Sequence, residues 1–174
     1  MQSTQSAAHV LSLTALIGVA GNAVADPADE AISAFNTWCF KAGQTEADAR
    51  RNMKADEADF VLTFWDDSLA PRPANAPVGV ERRCMVTFDG DHTDTAIAAL
   101  RKQMQTPPVF GTPIPLPKTH TADEFTALIE GRELLRGRVA VVEVGAQPSP
   151  NQVHTFMAVD RLYDGLGRAP ADKQ

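Results

Sequence analysis

The densest chemistry-bearing stretch of this chain is Asp89-Gly90-Asp91-His92-Thr93-Asp94, three carboxylates and an imidazole within six residues. These are donor types that hold a cation or move a proton. As a calcium loop the register fails, because Asp94 stands where the sixth-place glycine belongs and Leu100 where the twelfth-place glutamate belongs. The same residues also make a strand-to-helix turn, with Gly90 at the bend and Asp91, Thr93 or Asp94 as helix cap. Turn chemistry is the expectation. The alternative is a small metal-dependent hydrolase built from His92, Asp89 and Asp91, with His154 arriving from a later hairpin. His92, His120 and His154 are 28 and 34 positions apart, spacings that neither suggest nor exclude zinc. Motifs for serine catalysis, dinucleotide or phosphate binding and covalent haem are missing, and Ser33, Ser68 and Ser149 sit in no catalytic pattern. The expectation is therefore no catalytic residue, no cofactor and no metal.

The two cysteines are too far apart for a C-x-x-C redox pair. Cys39 falls on a helical apolar stripe with Ile32 and Phe35, and Cys84 alternates with Val86 and Phe88 on one face of a strand. Packing that helix on that face brings the sulfurs together, so a Cys39–Cys84 disulfide is expected, closing a separation of 45.

Residues 1–25 contain no Asp, Glu, Lys or Arg and end in Ala23-Val24-Ala25, side chains small enough for a signal peptidase. Cleavage after Ala25 is expected, leaving one domain over residues 26–174, periplasmic and without stable membrane insertion. The segment before the apolar run has no Lys or Arg, so either the export signal is weak or the true start lies upstream. Sixteen Lys and Arg against 22 Asp and Glu leave a net charge of −6, which excludes a phosphate backbone as main partner.

The elements that must position these residues follow from periodicity and caps. Asp26-Pro27 opens a helix ended by Gly43, and Thr45 caps a second running to about Ala58. Phe60 to Trp65 is ambiguous between strand and helix end, and residues 66–79, with three prolines, are a surface loop. Glu81 to Phe88 is a strand. Asp94 to Gln105 is a third helix with the stripe Ile97, Leu100 and Met104. Residues 106–120 carry five of the twelve prolines and form an extended connector. The capping-box pattern Thr121-x-x-Glu124, with Phe125, Leu128 and Ile129 behind it, predicts a fourth helix closed by Gly131. Arg138 to Val144 reads as a covered central strand, with Val153 to Tyr163 as its hairpin partner. The sum is an α+β domain: about four helices packed on a small, mainly antiparallel sheet of three to four strands, with one disulfide.

FNTWCF (Phe35 to Phe40), an Ala-rich second helix, ERRCMVTFD (Glu81 to Asp89) and a late Val-rich hairpin together resemble small uncharacterised secreted proteins of Gram-negative bacteria. That resemblance implies a periplasmic place and one disulfide, and it transfers no catalytic residue. Phe110, Ile114 and Leu116, held between prolines, are the expected recognition element, because an extended segment loses little entropy on docking. The expected function is a non-catalytic periplasmic accessory or binding protein whose partner is a protein or a small molecule.

Overall fold

A computed structural model describes residues 26–163. Helix α1 spans Pro27–Trp38 and α2 spans Glu46–Met53. Strands β1 (Phe60–Asp66) and β2 (Val80–Asp89) follow, then α3 (Thr93–Gln105). The chain continues through β3 (Thr112–Ile114), β4 (Thr126–Glu133), a 3-10 turn over Leu135–Gly137, β5 (Val139–Ser149) and β6 (Gln152–Leu162). The six strands form one sheet in the order β1-β2-β6-β5-β4-β3, every neighbouring pair antiparallel.

The local signals at the start of the chain act as their chemistry dictates. Asp26 accepts a hydrogen bond from the Ala28 amide at 3.0 Å, with Pro27 in the first helical turn. Thr45 and Asp48 close a reciprocal capping box at the head of α2. That helix stops earlier than Ala58, at Lys54, whose left-handed backbone (φ 52°) turns the chain out of the helix.

The expectation of four helices on three to four strands is overturned: the described residues form three α-helices and a six-stranded sheet. The segment expected as the fourth helix is β4. Its capping-box pattern is replaced by a local turn in which Asp123 accepts from the Phe125 amide at 2.9 Å and from the Thr126 hydroxyl at 2.9 Å. Leu128 and Ile129 suit one helical face by spacing, yet they serve opposite faces of the sheet, Leu128 with the helix-side core and Ile129 with the other. A short apolar run fits both periods, and pairing with β5 on one side and β3 on the other decides it. Within the proline connector Thr112–Ile114 forms a three-residue edge strand, a position that tolerates a missing backbone donor at Pro113. The loop expected between the last two strands shrinks to a tight turn, because pairing runs on to Ser149 opposite Gln152.

The sheet is covered on both faces. On one, α1, α2 and α3 bury Phe35, Leu100 and Met104 against Val86, Val142 and Met157. On the other, Trp65, Val80, Val139, Val141 and Leu162 form a smaller core under Ala76, Ile114 and Leu116. Two covered faces explain the buried Val-Ala-Val-Val run that opens β5, whose last three residues reach water. Cys39, at the C-terminal cap of α1, is bonded to Cys84 in β2 with Cα atoms 5.3 Å apart and both residues 1% exposed.

The proline connector straps the domain together. Phe110 packs on the helix side, β3 pairs along the edge, and Ile114, Leu116 and His120 lie over the second face. His120 is held there by Asp160 of β6, its Nε2 3.0 Å from the carboxylate, while Thr119 Oγ1 lies 2.9 Å from Nδ1. Arg83 of β2 grips the same carboxylate through Nε at 2.8 Å and Nη2 at 2.5 Å.

Candidate functional site: a two-part cleft beside the disulfide

After the disulfide at Cys39 the chain leaves the helix, and the Gln44 side-chain amide donates to the carbonyls of Trp38 (2.9 Å) and Lys41 (3.2 Å). These bonds tie down the turn that follows α1, and Phe40 is placed beside the sheet. From the other direction α3 ends at Thr106, ahead of Pro107-Pro108, and the Phe110 amide donates back to the Met104 carbonyl at 3.0 Å. The two rings meet edge-on with centroids 4.5 Å apart. Gly111, at φ +63°, passes so close to β4 that a Cβ there would stand 2.4 Å from the Glu133 carbonyl oxygen. Only glycine lets the connector run against Leu134 in this way.

Between these segments lies a groove of about 750 Å³, walled by Phe40, Val109, Phe110, Leu134 and Leu135 with Pro107 and Pro108. Gln103, Glu133 and Arg138 are among its polar lining residues. Leu135 is 91% exposed and Val109 59% exposed, large apolar side chains left in water at the mouth of a concavity.

Phe40, Phe110, Leu134 and Arg138 also line a second, inner cavity of about 120 Å³ against the sheet. Its floor is Cys39, Ala140 and Val159, and two arginines reach it, Arg82 from β2 and Arg161 from β6. Register explains their meeting: Asp66 pairs with Arg82 and Arg82 with Arg161 across three adjacent strands. Arg161 donates to both Asp66 oxygens, at 3.1 and 3.2 Å, and through Nε to Glu81 at 2.9 Å.

Arg82 is less well served. Its Nη2 donates to the Lys41 carbonyl, but Nε is buried with no hydrogen-bond acceptor, the Asp66 Oδ2 standing 3.6 Å away. Burial, followed by the neighbouring Arg161 charge, pushes the Arg82 guanidinium down to about 10, with Asp66 and Glu81 only partly opposing. Among the described residues lining the two cavities there is no histidine and no free thiol, and the carboxylate present is Glu133. The arrangement can hold a ligand; it carries no pair of groups set up for proton transfer.

The residues singled out by sequence lie elsewhere. Asp89 and His154 meet, Oδ1 to Nδ1 at 3.0 Å, beside a hollow lined by Phe60 and Thr87. Asp91 turns to Thr93, accepting from its amide at 3.2 Å and its hydroxyl at 2.9 Å. The His92 ring lies over Gly90 and beside Phe88, while its amide donates to Thr155 Oγ1 at 2.8 Å. His92 itself occupies the N-cap position of α3 and makes no side-chain capping bond; of the three expected caps it is Asp91 that serves, through its bond from the Thr93 amide, the first of the helix. Gly90 does make the bend, at φ +88°. Among the described residues no group of three or more His, Cys, Asp or Glu is placed to hold a metal ion.

Phe110, Ile114 and Leu116 are half-buried rather than exposed between prolines. β3 pairing turns Ile114 and Leu116 onto the second core, away from Phe110, so the three side chains do not share one surface. Phe110 belongs to the cleft. Arg82, Arg161 and the Arg83–Asp160–His120 lock escaped sequence reasoning, although charges inside otherwise apolar strands signal that partners must exist. The expected leader, residues 1–25, lies outside the described residues. No protein-family model, curated protein or solved structure matches this chain.

Proposed function

We propose that this chain is a non-catalytic periplasmic binding protein that holds an apolar ligand in the outer groove. The observation that carries the proposal is the groove itself, with Val109 and Leu135 exposed at a mouth continuous with Phe40, Phe110 and Leu134. Its volume of about 750 Å³ suits a small molecule, and pockets of this kind are mostly apolar with few polar groups. Support for the compartment comes from the leader-like residues 1–25 and from the disulfide, a bond that persists in oxidising surroundings.

The test uses Nile red, a neutral dye that brightens in apolar surroundings. The folded protein is expected to bind it saturably, and Val109→Asp with Leu135→Asp to weaken binding at least tenfold. The far-ultraviolet circular dichroism and thermal midpoint should stay close to wild type, since exposed side chains contribute little to folding. Equal dye binding by wild type and the double variant would overturn the proposal. For the compartment, protein recovered from a periplasmic extract should have an intact mass beginning at Asp26; retention of Met1 would count against export with cleavage.

A further inference from the structure

We infer that the ligand is an amphiphile with a single carboxylate head, received in the inner cavity by Arg82 and Arg161 while its apolar chain lies in the outer groove. This rests on the binding role proposed above and specifies the ligand's chemical class.

Three observations carry it. The inner cavity and the outer groove share Phe40, Phe110, Leu134 and Arg138, so the two adjoin, and a ligand reaching from one into the other would run beside these side chains. At the inner end Arg82 is 6% exposed, lines the cavity, and has a buried Nε with no acceptor. A buried guanidinium with an unmade bond is costly, and a carboxylate held in the cavity that this side chain lines would offset its charge. The third observation is charge. Arg82, Arg161 and Arg138 line the inner cavity, and the acids bonded or close to this group are Asp66 and Glu81. The lining of the inner cavity therefore presents arginines without a carboxylate among them, which suits an anionic head.

Size and polarity fix the orientation. The inner cavity, about 120 Å³, admits a small head and no bulky one. The outer groove is lined by Glu133 as well as Arg138, whereas the inner cavity is lined by three arginines and no carboxylate, a difference that favours entry head first.

The experiment is displacement of Nile red by dodecanoate, 1-dodecanol and acetate, each below the concentration at which it aggregates. Dodecanoate is expected to compete at least tenfold better than dodecanol, and acetate not to compete. Arg82→Met should abolish the preference for dodecanoate while dodecanol competes as before. Should that variant fold poorly, Arg138→Gln, at an exposed position, should lower dodecanoate affinity severalfold and leave dodecanol unchanged. Equal competition by dodecanoate and dodecanol would overturn the carboxylate head and leave the apolar groove standing. Failure of every amphiphile, with Nile red also unbound, would overturn the binding role itself. Competition by acetate alone would show an anion site without an apolar channel, contrary to the inference.

Discussion

Reducing the Cys39–Cys84 bond should cost this domain a large share of its stability. The bridge closes a separation of 45 residues, enclosing α2, β1, the loop over residues 66–79 and the first half of β2. Releasing that loop in the unfolded chain corresponds to about 4 kcal/mol of lost stability on the chain-entropy model. For a domain of this size the thermal midpoint should fall by about 10–20 °C. Both cysteines are 1% exposed, so reductant reaches the sulfurs only when the domain opens. Folded protein in dithiothreitol should therefore stay oxidised, and reduction should accelerate as urea approaches the unfolding transition. The assay is urea unfolding of oxidised and reduced protein in parallel, with thiol titration of the denatured, unreduced chain finding none free. The reduced chain should also show a larger dependence on urea, because its unfolded state exposes more surface. A difference in unfolding free energy below about 1 kcal/mol would refute the assignment of stability to loop closure. Cys39→Ala with Cys84→Ala is the second comparison; it removes two buried sulfurs as well and should be at least as destabilised.

Asp160→Asn leaves Arg83 and His120 without their shared charge and should destabilise the domain by about 3 kcal/mol in urea unfolding at pH 7. Burial alone would raise the Asp160 carboxyl, but hydrogen bonds from Arg83 and His120, with their charges, hold it below its ordinary value. Its contribution is thus complete above the unfolded carboxylate range and is lost as pH falls below about 4, so the wild-type advantage over the variant should vanish there. Glu143 is the opposite case: burial raises its carboxyl despite the Thr126 hydrogen bond. Glu143→Gln should stabilise the protein at pH 7, and that gain should shrink as pH falls through the raised folded value toward the unfolded one, 4.5. Ile114→Ser with Leu116→Ser should lower stability by about 2 kcal/mol, since both half-buried side chains complete the second core. An unchanged midpoint would put them back at the surface.

Much of the scaffold is legible because its causes are local. The Asp26 cap and Thr45 box, the Ile32, Phe35 and Cys39 stripe, and the Cys84, Val86 and Phe88 alternation each depend on residues a few positions apart. The pairing of β5 with β6 likewise follows from adjacency in the chain. The disulfide is legible at one remove, because each cysteine advertises the buried face of its own element and burial then joins the two faces.

The cleft is different in kind. Its walls come from the tail of α1, the tail of α3 and the turn between β4 and β5, and no periodicity says that these ends converge. Local pattern predicts a helix after Thr121, and neighbours on both sides, β3 and β5, make residues 126–133 a strand instead. The Arg83–Asp160 and Arg161–Asp66 contacts join positions 77 and 95 apart. Local chemistry by itself determined the caps, the stripes, the acidic surface and the cysteine pair. Tertiary structure alone decided the sheet order, the strap across both faces and the two arginines beneath the groove, because each depends on which strands become neighbours after long loops close.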